Sequence, residues 1–590
     1  MHIDTIESLE RFAEIRGNWD AVYEADPEAQ FFLSWSWLSK WLEGEKRWFI
    51  LAVKPDANAS EYVAFFPLTL EVKTKKGGGF HNNLVVTGQE FTDYTGLLCT
   101  PEFEDRAVPA LAEHIERLHW TKLKLPNMSI SDGRFRLFTD CFPPELFDTK
   151  VESKRIDENN IDHCVYPYAK LPRDWEGYLA NNLGSNTRQK VRRFLRKVDE
   201  AEEFRITVAD AETFERDLDI LLQLWTAKWG AQKGKNLPHV LAMNRKMISH
   251  FFETGHLFFP VLWKGEKPIG ALATFTDMKK KAMLFWMAGR DESFKGPPPP
   301  GFVLHAYSIR HAIANGFTTY DFLKGNEPYK YAFASEDRRP KFMTFRTADR
   351  KNLGGRLDPR CLPTVFARTF KRHKAGRIAQ AKIGYRQILD VEPGHRKALF
   401  ALAQLLAADG DHAGAAKTFR TFVALEPEAF KAWSKLGDSL MARREFAEAV
   451  EAYREVVKRR PEFTAYRNLG DALLQLGEVE EAVAAFKSAL DREAPELDPR
   501  APKAPNLWAG TVEKLARLPE RDRARHAPAI ANLGDKFRER GANGLAVSCY
   551  RQAISVQPKL ITAQLGLALA LKGQKGALPL ASPRRDSAIT

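Results

Sequence analysis

The sequence is poor in cysteine and has no apolar run long enough to cross a membrane. Its five cysteines, Cys99, Cys141, Cys164, Cys361 and Cys549, lie far apart, with no CxxC pair and no histidine at metal-ligand spacing beside them. That pattern argues against a zinc ribbon or a disulfide framework and predicts reduced, mostly buried thiols and no metal. No segment approaches the roughly 20 apolar residues that a spanning helix requires. The first residues, MHIDTIESLERFAEIRGNW, carry acidic groups and no apolar h-region, so they do not read as a secretory signal. The expected location is cytoplasmic, with peripheral association at the inner face of the membrane. Neither sign of charge dominates. With 89 basic against 76 acidic residues, the net charge of +13 is spread over 590 residues and implies no nucleic-acid binding. A moderately basic surface would suit an anionic cofactor, a nucleotide-sugar or a membrane surface.

What is present in abundance is length and a repeat. A chain of 590 residues exceeds one hydrophobic core and predicts several domains. In the back half Pro393, Pro427 and Pro461 recur at a spacing of 34 residues, and Pro495 continues the series. Each closes a segment patterned as a helix-turn-helix unit of the tetratricopeptide type. One unit places Trp433, Leu436, Gly437 and Leu440 on a first helix and Ala449, Tyr453 and Val456 on a second. The units before and after repeat this with Leu399, Leu402, Ala403 and Phe419, and with Leu469, Gly470, Leu473 and Phe486. A partial unit with Ala381, Tyr385 and Ile388 opens the array, and after a proline- and charge-rich insertion Ile530, Leu533, Gly534, Phe537, Ala546, Tyr550 and Ala553 resume it. Such repeats expose a concave groove, so the expectation is an all-α solenoid over 375–574 that binds a protein partner. A linker is expected over 351–374 and a disordered tail over 575–590.

The front half alternates β-branched and aromatic runs with amphipathic stretches, as a mixed α/β fold requires. Strand candidates are 48–53, 62–72, 94–100 and 122–126, with a helix from Glu104 to Arg117. A second block then reads as a basic helix, helices over 213–230 and 238–253, three strands over 256–263, 268–276 and 281–289, a proline-led helix, and the strand TTYDFLKG. The three strands with short turns predict an antiparallel meander. The blocks are taken as 1–160 and 161–350.

The joints of that order carry a resemblance. FFLSWSWLSKWL (31–42), FTDYTGLL (91–98), LPRDWEGYLANNLGSNTRQKVRR (171–193), PPGFVLHAYSIRHAIANGFTTYDFLKGNEPYKYAF (299–333) and KFMTFRT resemble the GNAT-type acetyltransferases associated with cellulose and other exopolysaccharide synthesis, the CelD/BcsL group. The group is also similar to FemAB-type aminoacyl transferases, which pair two GNAT-like domains in one chain. The resemblance implies tandem GNAT-like α/β domains ahead of the tetratricopeptide solenoid. It further implies an N-acyltransferase, with acetyl-CoA as donor and an amino group of a small-molecule or lipid-linked sugar precursor as acceptor. Two other readings stay open: a FemAB-like aminoacyl transferase acting on a peptidoglycan precursor, and a non-catalytic scaffold with a degenerate transferase domain.

Acyl transfer from a thioester to an amine needs a pyrophosphate pocket, a neutral amine and stabilisation of the tetrahedral oxyanion. By the resemblance, the pyrophosphate loop corresponds to GPPPPGFVLHAYS, where Gly301, Phe302 and Val303 open a helix. The usual glycine-spaced GNAT signature is replaced there by the proline run. The alternative is a plain helix-initiating turn. In YDFLKGNEPYKYAF, Glu327 and then Asp321 are the candidate general bases, Tyr329 the acid, and Lys324 and Lys330 the phosphate-holding cations; a solvated turn closed by ion pairs is the alternative. Arg188 and Arg192 on the basic helix are candidates for substrate contact, or simply face water, and Trp286 is core or pocket wall. His305 and His311 are expected to pack or face solvent in preference to catalysis.

Overall fold

The computed structural model describes residues 1–89, 92–492 and 504–575. The chain divides into two compact units, residues 1–76 with 80–364, and residues 77–79 with 365–590.

The first unit is a tandem of mixed α/β layers. Strands β1 (His2–Ile6), β2 (Trp48–Lys54), β3 (Ala64–Thr74), β4 (Phe80–Val86), β5 (Leu98–Cys99), β6 (Lys122–Met128) and β7 (Phe147–Glu152) supply most of one sheet. Strands β8 (Tyr166–Lys170), β9 (Phe204–Val208), β10 (Leu257–Phe258), β11 (Pro260–Lys264), β12 (Lys267–Asp277), β13 (Ala282–Arg290), β14 (Thr319–Asp321) and β15 (Glu336–Arg338) form the other. The first sheet runs β1-β2-β3-β4-β6-β16-β7, and the second β15-β8-β14-β13-β12-β11-β9. In the first sheet, β16 is Lys341–Thr347. Each sheet contains one parallel pair, β4 with β6 and β13 with β14. In each, the chain crosses between the two strands through a helix, α4 (Glu104–Glu116) in the first and α10 (Pro300–Ala314) in the second. A parallel pair needs such a crossover, so the two halves share one plan.

β16 departs from the sequence reading. Placed by sequence in the second block, it pairs antiparallel with β6 and β7 in the first sheet. Alternation in KFMTFRT identifies a strand and its buried face but carries no information about its neighbour. The stretch HLFFPVLW, read as one strand, is split into β10 and β11, both pairing with β12. The meander β11-β12-β13 is antiparallel, as its short turns require.

Helices cover the sheets. Ser8, Ser34, Ser131 and Asp174 cap α1 (Leu9–Glu14), α3 (Trp35–Leu42), α5 (Asp132–Thr139) and α6 (Trp175–Asn182) through side-chain oxygens; α2 is Arg16–Ala25. α7 (Ser185–Glu200) buries Val191, Phe194, Leu195 and Val198 at helical spacing and turns its basic residues outward. α8 (Phe214–Lys233) and α9 (Leu237–Glu253) follow.

The second unit is a succession of helix pairs: α11 (Leu362–Lys374) with α12 (Ile378–Val391), α13 (Arg396–Ala408) with α14 (His412–Leu425), α15 (Phe430–Ala442) with α16 (Phe446–Arg459), and α17 (Phe463–Leu476) with α18 (Val479–Arg492). α19 (Ala504–Ala516), α20 (Glu520–Arg525), the pair α21 (Ala527–Glu539) and α22 (Asn543–Val556), and α23 (Ile561–Lys575) complete it. Small residues set the pair spacing: a Cβ on Gly437 would lie 2.6 Å from the Tyr453 ring, and one on Gly470 2.5 Å from Phe486. Within the segment expected as a linker, α11 pairs with α12, and Thr369 stands where Gly384 leaves room. Pro495 and residues 576–590 of the expected tail lie outside the described residues.

Candidate active site

β13 and β14 run side by side for three residue pairs only, Ala282 with Thr319, Met283 with Tyr320 and Leu284 with Asp321. β13 then continues to Arg290 beside β12, while the chain after Asp321 turns away. From Phe285 onward, the other edge of β13 has no strand neighbour among the described residues. On that edge its backbone groups make no ladder with another described strand.

Two glycines seat the helices that flank this opening. A Cβ on Gly289 would lie 2.6 Å from Leu224 Cβ and 2.9 Å from the Trp225 nitrogen, so α8 rests directly on β13. A Cβ on Gly270 would lie 2.9 Å from Pro300 Cβ, so the first turn of α10 rests on β12. Between them lies a cavity of about 500 Å³. Its walls are Trp225, Lys228 and Trp229 of α8, Phe285 to Arg290 of β13, Gly301, Phe302 and His305 of α10, and Glu327, Tyr329 and Phe333 from the segment after β14.

The beginning of α10 has no side-chain cap; Pro299 precedes it and Pro300 has no N–H. The N–H groups of Gly301 and Phe302, in the first turn, have no intrahelical acceptor, and with the helix dipole they favour an anion there. His305, one turn on, is buried, with Nδ1 3.1 Å from Tyr320 Oη. Burial, reinforced by the charge of Lys330, pulls its pKa down to about 3, so the imidazole is neutral near pH 7. On α8, burial together with Arg290 lowers the pKa of Lys228.

The segment after β14 is tightly curled. Leu323 (φ 55°) and Gly325 (φ 98°) both occupy the left-handed region. Glu327 emerges from it onto the cavity wall with its side chain 34% exposed.

Residues 185–331 match the family model of the acetyltransferase (GNAT) domain, and residues 374–430 and 434–502 match that of the tetratricopeptide repeat. The chain carries a GNAT-type acetyltransferase domain followed by tetratricopeptide repeats. No curated protein matches it. Among solved structures, FemX is 11% identical, with 58% of this chain and 97% of that one covered at a TM-score of 0.41. MamA is 18% identical, with 32% and 95% covered at 0.23. YrrB, a tetratricopeptide protein with an unusual peptide-binding site, is 16% identical, with 36% and 90% covered at 0.23.

Within the GNAT-type domain the sequence candidates separate. Glu327, Tyr329, Gly301, Phe302 and Trp286 stand on the cavity wall; the Trp286 indole N–H also donates to Asn244 Oδ1 at 2.9 Å. The others are not among the residues that line the cavity. Val303 is fully buried in the core beneath α10, because it lies on the apolar face of the helix. Asp321 is 1% exposed and saturated: Tyr94 Oη donates to it at 2.9 Å, the Leu323 N–H at 2.8 Å, and Arg338 forms an ion pair with it. Burial raises its pKa against the pull of Arg338. Lys330 is 2% exposed and points into its own loop. Lys324 is half-buried beside Asp93, whose pKa burial raises. On α7, Arg188 is half-buried, and Arg192 is exposed and paired with Glu176.

Sequence reasoning passed over Trp225, Lys228, Trp229 and Arg290. Their signal was available: in WTAKW the two indoles and the lysine fall on one helical face. His305, expected to pack, does pack, and it also contributes to the cavity wall.

Proposed function

We propose that this cavity transfers an acyl group from acyl-coenzyme A, acetyl-CoA in the first instance, to an amino group of an exopolysaccharide or cell-envelope precursor. The observation that carries the reading is convergence: the uncapped start of α10, the unpaired edge of β13 and the Glu327 carboxylate meet at one cavity. The N–H groups of Gly301 and Phe302 suit the pyrophosphate, and the open edge of β13 suits a pantetheine arm that carries amides of its own. When bound, the donor supplies a thioester-activated acyl group. Glu327 takes the proton that the acceptor amine loses. Tyr329, a phenol that ordinarily holds its proton at neutral pH, donates that proton to the departing thiolate from the same wall. Trp225 and Trp229 offer flat apolar faces for a sugar ring, and Lys228 and Arg290 offer charge for a phosphate on a lipid- or nucleotide-linked precursor.

The repeats dock a protein partner. They carry a cavity of about 350 Å³ lined by residues that include Phe400, Phe430, Lys431, Lys435 and Asn468. No described helix is long and apolar enough to cross a membrane, and the proposed work at the inner membrane face is peripheral.

The decisive experiment is thiol release from acetyl-CoA with a panel of amino-sugar acceptors, using the wild type and Glu327→Gln. Wild-type turnover that falls about a hundredfold or more in the variant is expected for loss of a general base. An unchanged rate removes Glu327 from the chemistry, and neither turnover nor coenzyme A binding by the wild type sinks the reading.

A further inference from the structure

Lys330 is an unusual lysine: it is 2% exposed and does not line the cavity. Its ammonium lies 2.7 Å from the carbonyl oxygen of Lys324, 3.0 Å from that of Gly325 and 3.3 Å from that of Leu323. The Glu327 carboxylate stands beside it as an ion-pair partner, with Oε2 3.0 Å away. Three consecutive carbonyls can turn toward one point because Leu323 and Gly325 have φ of 55° and 98°, a conformation that a leucine adopts only when its surroundings impose it. On the other side of the same segment, the Phe322 N–H donates to Pro167 O at 3.0 Å and the Gly325 N–H to Val165 O at 2.9 Å. The loop thus spends N–H groups outward on the strand before it and turns its carbonyls inward on a cation.

We propose that Lys330 is a positioning residue, the internal cation that curls residues 323–327 and fixes the Glu327 carboxylate on the cavity wall. The three carbonyls take up all three of its N–H groups, so it has none to offer a phosphate. Removing the charge leaves three buried carbonyls converging without a donor, a state that folded chains avoid, and the loop relaxes toward ordinary φ values. Glu327 then loses its anchor, with the cavity otherwise intact. This inference rests on the reading of Glu327 as the base, and its test separates the two.

The test uses the full chain carrying Lys330→Met, alone and combined with Glu327→Gln. Amide hydrogen exchange needs no substrate. Exchange at residues 322–329 is expected to quicken about tenfold or more while β13 and α10 stay protected. Unchanged exchange overturns the inference whatever the protein catalyses. In turnover, kcat is expected to fall at least about tenfold in Lys330→Met with little change in donor KM, and to fall hardly further when the substitution is added to Glu327→Gln. Equal proportional losses in the two backgrounds overturn it, because general damage to the fold would act alike in both. If Lys330→Met does not fold, Lys330→Gln, which keeps two N–H donors, takes its place under the same criteria. A wild type without turnover sinks the transferase reading, and the exchange result then decides the inference alone.

Discussion

His305 and Asp321 are buried polar groups of the GNAT-type domain that answer differently to change. His305 has its pKa held near 3 by burial, against an ordinary value near 6.5. A histidine depressed in the fold is neutral there while the unfolded chain still binds a proton. Its stabilising effect is therefore complete above pH 6.5 and is lost as pH falls toward 3, at roughly 1.4 kcal/mol per pH unit for this one site. Urea denaturation of wild type and His305→Gln between pH 7 and pH 4 should show the wild type losing stability more steeply by about that amount; parallel slopes would refute the assignment. Asp321 is expected to be structural. Asp321→Ala leaves the half-buried Arg338 charged without its partner, which costs up to about 3 kcal/mol, the lower end for a broken buried pair. A catalytic base would instead cost turnover and leave the urea midpoint in place. From sequence, Asp321 and Glu327 looked equivalent, two carboxylates closing one apolar strand. What separates them is that Asp321 lies on the sheet between Tyr94 and Arg338, which come from distant segments, and Glu327 lies beyond the point where β13 and β14 part. No spacing rule encodes that.

At the scale of elements, the meander β11-β12-β13, the helix after the proline run and the tetratricopeptide pairs were legible because each buries its own periodic pattern. The place of β16 in the first sheet was not legible, since partner choice is a tertiary matter. Nor was the role of Gly289, one glycine in the strand KAMLFWMAG. Its meaning is the contact with α8, where an added Cβ meets backbone atoms of Leu221 and Trp225 at 2.9 Å. Backbone cannot swing aside as a side chain can, so α8 has to move as a body. Gly289→Ala is expected to cost about 1–3 kcal/mol of stability, the usual range for overpacking. It should also weaken acceptor binding, because Trp225, Lys228 and Trp229 travel with the helix. Thermal unfolding and the acceptor KM check both effects; a variant that loses stability with an unaltered acceptor KM shows that the α8 wall is not part of the acceptor site.

For the whole molecule, the question is whether the two units depend on each other for chemistry. Every residue that lines the cavity falls between Leu224 and Phe333, and the division of the chain falls between Thr364 and Val365. Removing 365–590 therefore deletes no cavity group and no strand of either sheet, since β16 ends at Thr347. The repeats, in turn, gain stability from nearest-neighbour stacking and need no α/β core to fold. A fragment of residues 1–364 is expected to unfold cooperatively and to release thiol from acetyl-CoA at a rate within about threefold of the full chain, as independent sites behave. Residues 365–590 should remain helical by circular dichroism and retain any partner captured by the full chain. A folded 1–364 fragment that neither binds coenzyme A nor turns over would mean that the repeats act on the catalytic unit itself, and the division of labour between chemistry and recruitment would have to be given up.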